Sequence, residues 1–189
     1  ACPEDMGVVR IALNPSYIAR SYFPAALLRY AGLGSVGSRA VKLTPDDWSK
    51  QGAPRESATT EIFVAGKRQA FRQLKDWAEQ LEEGTKEAID FARIERFSAF
   101  EPKERIVSSG GGGFFEVGVH LLPDDNSQLV QSAFTKYAES LGIQAYADLA
   151  FKAGNLWFLP VEGEHNSIEG LAEFSFVRVI RSMPKLRGM

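Results

Sequence analysis

The chain has 189 residues, 44% of them apolar and 24% charged, with a net charge of −2. That supplies one large core or two small ones. It offers no electrostatic footprint for nucleic acid, and its apolar runs are far shorter than the ~20 residues of a membrane span. Cys2 is the lone cysteine, so no internal disulfide is available, which fits the cytosol. No signal peptide is read in Ala1–Asp5, which lacks a basic region and a following apolar one.

Val8–Leu13 is rich in β-branched residues and reads as a first strand, stopped by Asn14-Pro15-Ser16. Pro15 or Ser16 is placed to start a helical stretch running to Tyr30, kinked or divided into two short helices at Pro24, and Gly32 and Gly34 end it. Val36–Leu43 reads as a second strand, and 44–54 as a polar loop holding Trp48. Thr59–Ala65 is a third strand that Gly66 ends. Phe71, Leu74, Trp77, Ala78 and Leu81 recur at three- and four-residue steps and share one face of a helix. After Glu82-Glu83-Gly84 a further helical turn over Ala88–Ala92 is expected to point Ile89 and Phe91 inward. Ile94–Phe100 alternates with period two as a one-sided strand does. Pro102–Gly113 loses all periodicity and ends in four glycines, which reads as a flexible linker. A phosphate-cradling loop would need a helix directly after the glycines, and a strand follows instead.

The same order then recurs. Phe114–Leu122 is a strand, and Pro123–Ser127 offers N-cap candidates. Leu129, Val130, Ala133, Phe134, Tyr137 and Leu141 make one helix face, closed by Gly142. Ala145–Lys152 and Leu156–Leu159 form a hairpin around Gly154-Asn155, the second strand ending at Pro160. Asn166 or Ser167 caps a short helix that turns Ile168 and Leu171 inward, and Phe176–Ile180 is the last strand. Strand, helix, strand, strand, helix, strand, twice, predicts an α+β protein of two tandem ferredoxin-like βαββαβ units, each an antiparallel sheet with helices on one face. The expected division is 1–107 for the first unit, 108–113 for a glycine-rich linker, and 114–189 for the second unit with an extended tail.

Catalytic patterns are sparse. The two histidines, His120 in a strand and His165 in a loop, lie apart and with Cys2 do not make a metal-ligand set. No Gly-x-Ser-x-Gly elbow or dinucleotide fingerprint occurs. Adjacent acids at Asp46-Asp47, Glu82-Glu83, Asp124-Asp125 and Glu162/Glu164 read as solvated or capping. The segment is therefore read as non-enzymatic, with no cofactor, no metal, no nucleic acid and no membrane among its partners. Charge is uneven: residues 114–177 hold nine acids against Lys136 and Lys152, whereas the last twelve residues carry Arg178, Arg181, Lys185 and Arg187 with no acid. A separate reading makes the chain a stand-alone ligand- or protein-binding module, with a concave pocket lined by aromatics such as Trp157 and Phe158.

Leu13–Pro24, Gly34–Arg39, Thr59–Gly66 and Phe176–Pro184 resemble the region preceding the catalytic domain in large bacterial subtilisin-like serine proteases. None of these stretches is a catalytic motif, and the Asp, His-Gly-Thr and Gly-Thr-Ser-Met motifs of such proteases are absent from the sequence. The resemblance implies a propeptide-like domain that acts as intramolecular chaperone and inhibitor, or as a regulatory domain, of a subtilisin-like catalytic domain downstream. Propeptides of that group have a ferredoxin-like fold, dock their sheet on the protease and lay a C-terminal tail through its cleft. That plan assigns the tail to Pro184, Lys185, Leu186, Arg187, Gly188 and Met189, with Leu186 in the fourth position from a cleavage after Met189. Glu162 and Glu164 are candidates, by chemistry only, for capping helix N-termini on the protease. The role of residues 1–107 is open on this plan, with sensing of a substrate or partner one expectation.

Overall fold

The computed structural model describes residues 3–17, 22–46, 48, 52–107, 113–122 and 127–183, the side chain of Lys75 excepted. The chain is α+β and divides into two compact units, Asp5–Ala99 and Phe100–Met189, the latter including Ala1–Glu4.

The first unit contains β1 (Met6–Leu13), α1 (Ala25–Tyr30), β2 (Gly34–Leu43), β3 (Ser57–Lys67), α2 (Arg68–Gln80), α3 (Lys86–Ala92) and β4 (Ile94–Ala99). Its sheet runs β2-β3-β1-β4 with every neighbour antiparallel, which is the ferredoxin-like order. The register Val9↔Val64 and Ile11↔Ile62 puts β-branched residues on one face. There Ile11, Leu13, Ile62 and Val64 pack with Leu28, Ala31, Leu33 and Leu74 into a core. Gly66 lies on that face, where a Cβ would press on the end of the Leu33 side chain and force it to shift.

The helical stretch expected before Tyr30 is described in two parts, a turn at Pro15–Tyr17 and α1, with residues 18–21 outside the described residues. Asn14 Oδ1 accepts hydrogen bonds from the Ser16 backbone N–H (2.8 Å) and hydroxyl (2.6 Å), closing a side-chain turn that runs through Tyr17. Helix α1 begins after Pro24, and the carboxylate of Asp90 receives its first N–H groups, from Ala26 at 3.1 Å and Leu27 at 3.2 Å. Asp90, not Ile89, is the buried residue of α3; Ile89 is 43% exposed, against expectation. The Thr85 hydroxyl accepts the Ala88 N–H, sets the phase of that helix, and so turns Asp90 toward α1.

The second unit contains α4 (Pro102–Arg105), β5 (Phe114–His120), α5 (Ser127–Ser140), β6 (Gln144–Ala145), β7 (Phe151–Ala153), β8 (Leu156–Glu162), α6 (His165–Leu171) and β9 (Val177–Ser182). Its sheet order is β6-β8-β5-β9, with β7 pairing β8. The single strand expected over 145–152 is thus broken by a 3-10 turn at Ala147–Leu149. Pro160 does not end β8. Its carbonyl accepts the Tyr146 N–H at 3.0 Å, and a strand residue's N and O point the same way. The missing N–H therefore faces the gap between β6 and β7, where no ladder bond is lost. The two units share one topology, tandem βαββαβ.

Residues 100–107, expected to close the first unit and open a linker, belong to the second. Glu101 and Glu104 form a capping box around α4. The guanidinium of Arg105 is buried and donates to the carbonyls of Phe100, Ala172 and Phe174, and Val107 N–H bonds Ile180 at 2.9 Å. The units therefore divide at Ala99/Phe100 and not at 107/108. Of the expected linker, 108–112 lie outside the described residues, and Gly113 accepts the Gly163 N–H at 3.0 Å.

Candidate functional site

Side chains of a strand alternate between faces, and in the second unit the two faces differ in kind. Phe115, Val117 and Val119 of β5, with their partners Val161, Leu159 and Trp157 of β8, are all buried on the helix side. Phe134 of α5 meets the ring of Trp157 edge-on at 5.9 Å and that of Phe174 at 5.5 Å. The opposite face carries Phe114, Glu116, Gly118 and His120 of β5 against Glu162, Pro160, Phe158 and Leu156 of β8.

That face holds exposed aromatics. Phe114 is 51% and Phe151 55% exposed, and Leu149, in the turn before β7, is 62% exposed. They are arranged in pairs. Phe151 stacks on Phe158 at 5.3 Å and 17°, and Phe114 on Tyr146 at 6.5 Å and 27°. Gly118 leaves a low point on the sheet between them; a Cβ there would meet Phe158 Cε1 at 2.8 Å and Val179 Cγ1 at 2.9 Å, so both neighbours lean over the glycine. Water against this much apolar ring is unfavourable, and covering each ring is worth about 1.5–3 kcal/mol.

The charges on the face are tied down. Arg181 of β9 pairs with Glu116, its Nε 2.8 Å from the carboxylate. The Tyr146 hydroxyl donates to Glu162 at 2.6 Å, and that bond, then desolvation and the negative charges of Glu162 and Asp148, raise the Tyr146 pKa. Phe114, Tyr146 and Glu162 thus form one fixed corner of the face.

The residues singled out from the sequence are scattered over the unit. Glu162 is exposed at the end of β8, with one oxygen held by Tyr146. Glu164 is exposed at the N-cap of α6, where its side chain makes no capping bond. The helix starts at His165, ahead of the expected Asn166 or Ser167 cap. His165 is solvated and lies 3.6 Å from Glu169 one turn on. His120 is a buried sheet residue. Pro184–Met189 lie outside the described residues; the last described residue, Met183, donates its N–H to Phe114 O, so the chain leaves the sheet beside the aromatic corner. Trp157 and Phe158, expected to line one pocket, point to opposite faces of β8 and do not converge. Leu149 and Phe151 were not singled out from the sequence: the break between β6 and β7, which exposes them, leaves no mark in the hydrophobic pattern of 145–152. Among the described residues no group of three or more His, Cys, Asp or Glu is placed to hold a metal ion, and no helix is long and apolar enough to cross a membrane.

No protein-family model and no curated protein matches the sequence. Among solved structures, the chain is similar to the ligand-free regulatory subunit of aspartate kinase from Thermus thermophilus. The TM-score is 0.30 and the identity 9%, over 89% of this chain and 91% of that one. A likeness that low carries no inference about ligand, partner or activity.

Proposed function

We propose that the chain is a non-catalytic, regulatory protein-docking module, and that its partner is a subtilisin-like catalytic domain which it helps to fold and then inhibits. The observation that carries this reading is the exposed, paired aromatic face of the second unit, opposite its helices. Four rings in two stacks on a hydrogen-bonded sheet are rigid, so burying them against a protein surface costs little conformational entropy. β9 ends beside Phe114, which starts residues 184–189 from the rim of the docking face. An extended tail from that point can follow a cleft in the docked partner. Glu164, exposed and not used in capping α6, is free to meet a helix N-terminus on the partner, whereas Glu162 would have to leave Tyr146 first.

The test is to add the purified chain to the separately produced catalytic domain and measure peptide hydrolysis and refolding yield. Inhibition together with a gain in yield is expected. Joint substitution of Phe114→Asp and Phe151→Asp should weaken inhibition by roughly a hundredfold, the loss of two buried rings at about 1.4 kcal/mol each. Deletion of 184–189 should abolish inhibition and leave binding in place. No inhibition and no gain in yield would refute the reading.

A further inference from the structure

The first unit holds a second feature that the docking reading leaves unused. Helix α2 is strongly amphipathic, yet of its apolar face only Leu74 is buried; Phe71 and Trp77 are half-buried against the core. The space left between α2, α3 and β4 is a groove of about 540 Å³, lined by Phe71, Leu74, Ala78, Glu79, Phe91 and Phe97. That volume is within the usual range of small-molecule sites. Phe91 and Phe97 stack at 6.2 Å and 28° along one side, and Phe71 and Leu74 project from α2. Among the described residues of the lining the charged one is Glu79.

We propose that this groove binds a small organic cation with an apolar body. Three phenyl rings favour a hydrocarbon or aromatic body, and their negative faces also attract a positive charge. Among the described side chains none pairs with Glu79. An anion would be repelled by it, and a neutral apolar guest would cover it without giving it a partner. The surroundings reinforce the sign. The last turn of α2 has no basic residue to oppose the negative end of its dipole, and the connection to α3 adds Glu82, Glu83 and Glu87. A smaller cleft of about 240 Å³ at that connection is itself lined by Glu82 and Glu87.

The experiment titrates the whole chain with three probes of matched shape, phenethylammonium, 2-phenylethanol and 3-phenylpropanoate. Ligand-detected NMR gives the Kd of each, and thermal stabilisation is an independent readout. The expected order is cation tightest, alcohol roughly tenfold weaker, and anion weakest or unmeasurable. Glu79→Gln should bring the cation to the level of the alcohol and leave the alcohol unchanged. Ala78→Phe fills the groove and should abolish all binding, with the far-UV circular dichroism spectrum showing that the unit is still folded. Equal affinity for the three probes, no binding of the cation, or a cation preference that survives Glu79→Gln would each overturn the proposal.

Discussion

Arg105 makes the sharpest statement about how this chain is divided, because it is buried in a segment that the sequence presents as linker. Its side chain is 5% exposed. Nε lies 3.1 Å from Phe100 O, and one terminal nitrogen lies 2.9 Å from Ala172 O and 2.6 Å from Phe174 O, the carbonyls just past α6. The charge also sits 5.0 Å from the Phe100 ring centroid. Arg105→Met keeps the aliphatic stem and removes the donors. Phe174 O retains the Val177 N–H. The carbonyls of Phe100 and Ala172 each lose the Arg105 donor, at about 1–3 kcal/mol apiece. Part of that is returned because a desolvated cation is no longer buried. A net loss of about 3 kcal/mol follows, and it falls on one unit only. Hydrogen–deuterium exchange on the whole chain reads this directly: amides of β8 and β9 should exchange roughly a hundredfold faster, while those of β1 and β3 stay unchanged. Arg105→Lys should recover little, since an ammonium lacks the planar fork that reaches three carbonyls at once. Equal acceleration in both sheets, or no change in β9, would refute the assignment of 100–107 to the second unit.

Tyr22 donates to Asp90, and burial, then that hydrogen bond and the charge of Asp90, push its pKa up to about 12. A raised folded-state pKa means that the contribution is complete below pH 10 and is lost as pH rises toward 12, so Tyr22→Phe should flatten the fall in melting temperature over that window. Asp90→Asn should destabilise the first unit by about 1–2 kcal/mol in urea titration, because an amide can cap α1 with its oxygen but forfeits the charge-assisted bonds. Gly118→Ala should cost about 1–3 kcal/mol by the same assay, since Phe158 and Val179 must both move aside; a melting temperature equal to the parent's would show that the aromatic face is looser than its stacking geometry.

Much of the fold is legible in the residues because hydrophobic period and element order say the same thing. Val8–Leu13, Thr59–Ala65 and Phe176–Ile180 have nothing to be but strands, and the steps from Phe71 to Leu81 fit only a helix. What was not legible depends on bonds made far along the chain. The Asn14 turn at Pro15–Tyr17 is anchored by Glu95, whose carboxylate takes the Asn14 amide at 2.7 Å from 81 residues away. Arg105 reads as a linker charge until the carbonyls of Ala172 and Phe174, 67 and 69 residues later, are beside it. The candidate face divides the same way. Phe114 and Phe158 could be assigned to a common side by counting alternate residues, whereas Phe151 and Leu149 join them only because β6 and β7 are interrupted by a turn.

The interruption also explains why the second unit, rather than the first, offers an aromatic docking surface. In the first unit β2 pairs with β3 continuously from Leu43 back to Gly34, apart from one bulge at Val36, and Arg39 stands on the face opposite the helices, bonded to Glu61. In the second unit the equivalent strand is reduced to two short pieces, Gln144–Ala145 and Phe151–Ala153. The turn between them lifts Tyr146 and Leu149 out of the ladder. Tyr146 swings onto Phe114 and Glu162, and Phe151 re-enters pairing opposite Phe158. One topology therefore yields two different surfaces, and in the second unit the break in the edge strand leaves Leu149 and Phe151 exposed. Deleting Asp148, Leu149 and Ala150, the three residues by which 146–150 exceeds Leu159–Pro160, should join β6 to β7 while keeping Tyr146; amide exchange across 144–153 should then slow, and unchanged exchange would refute this account of the break.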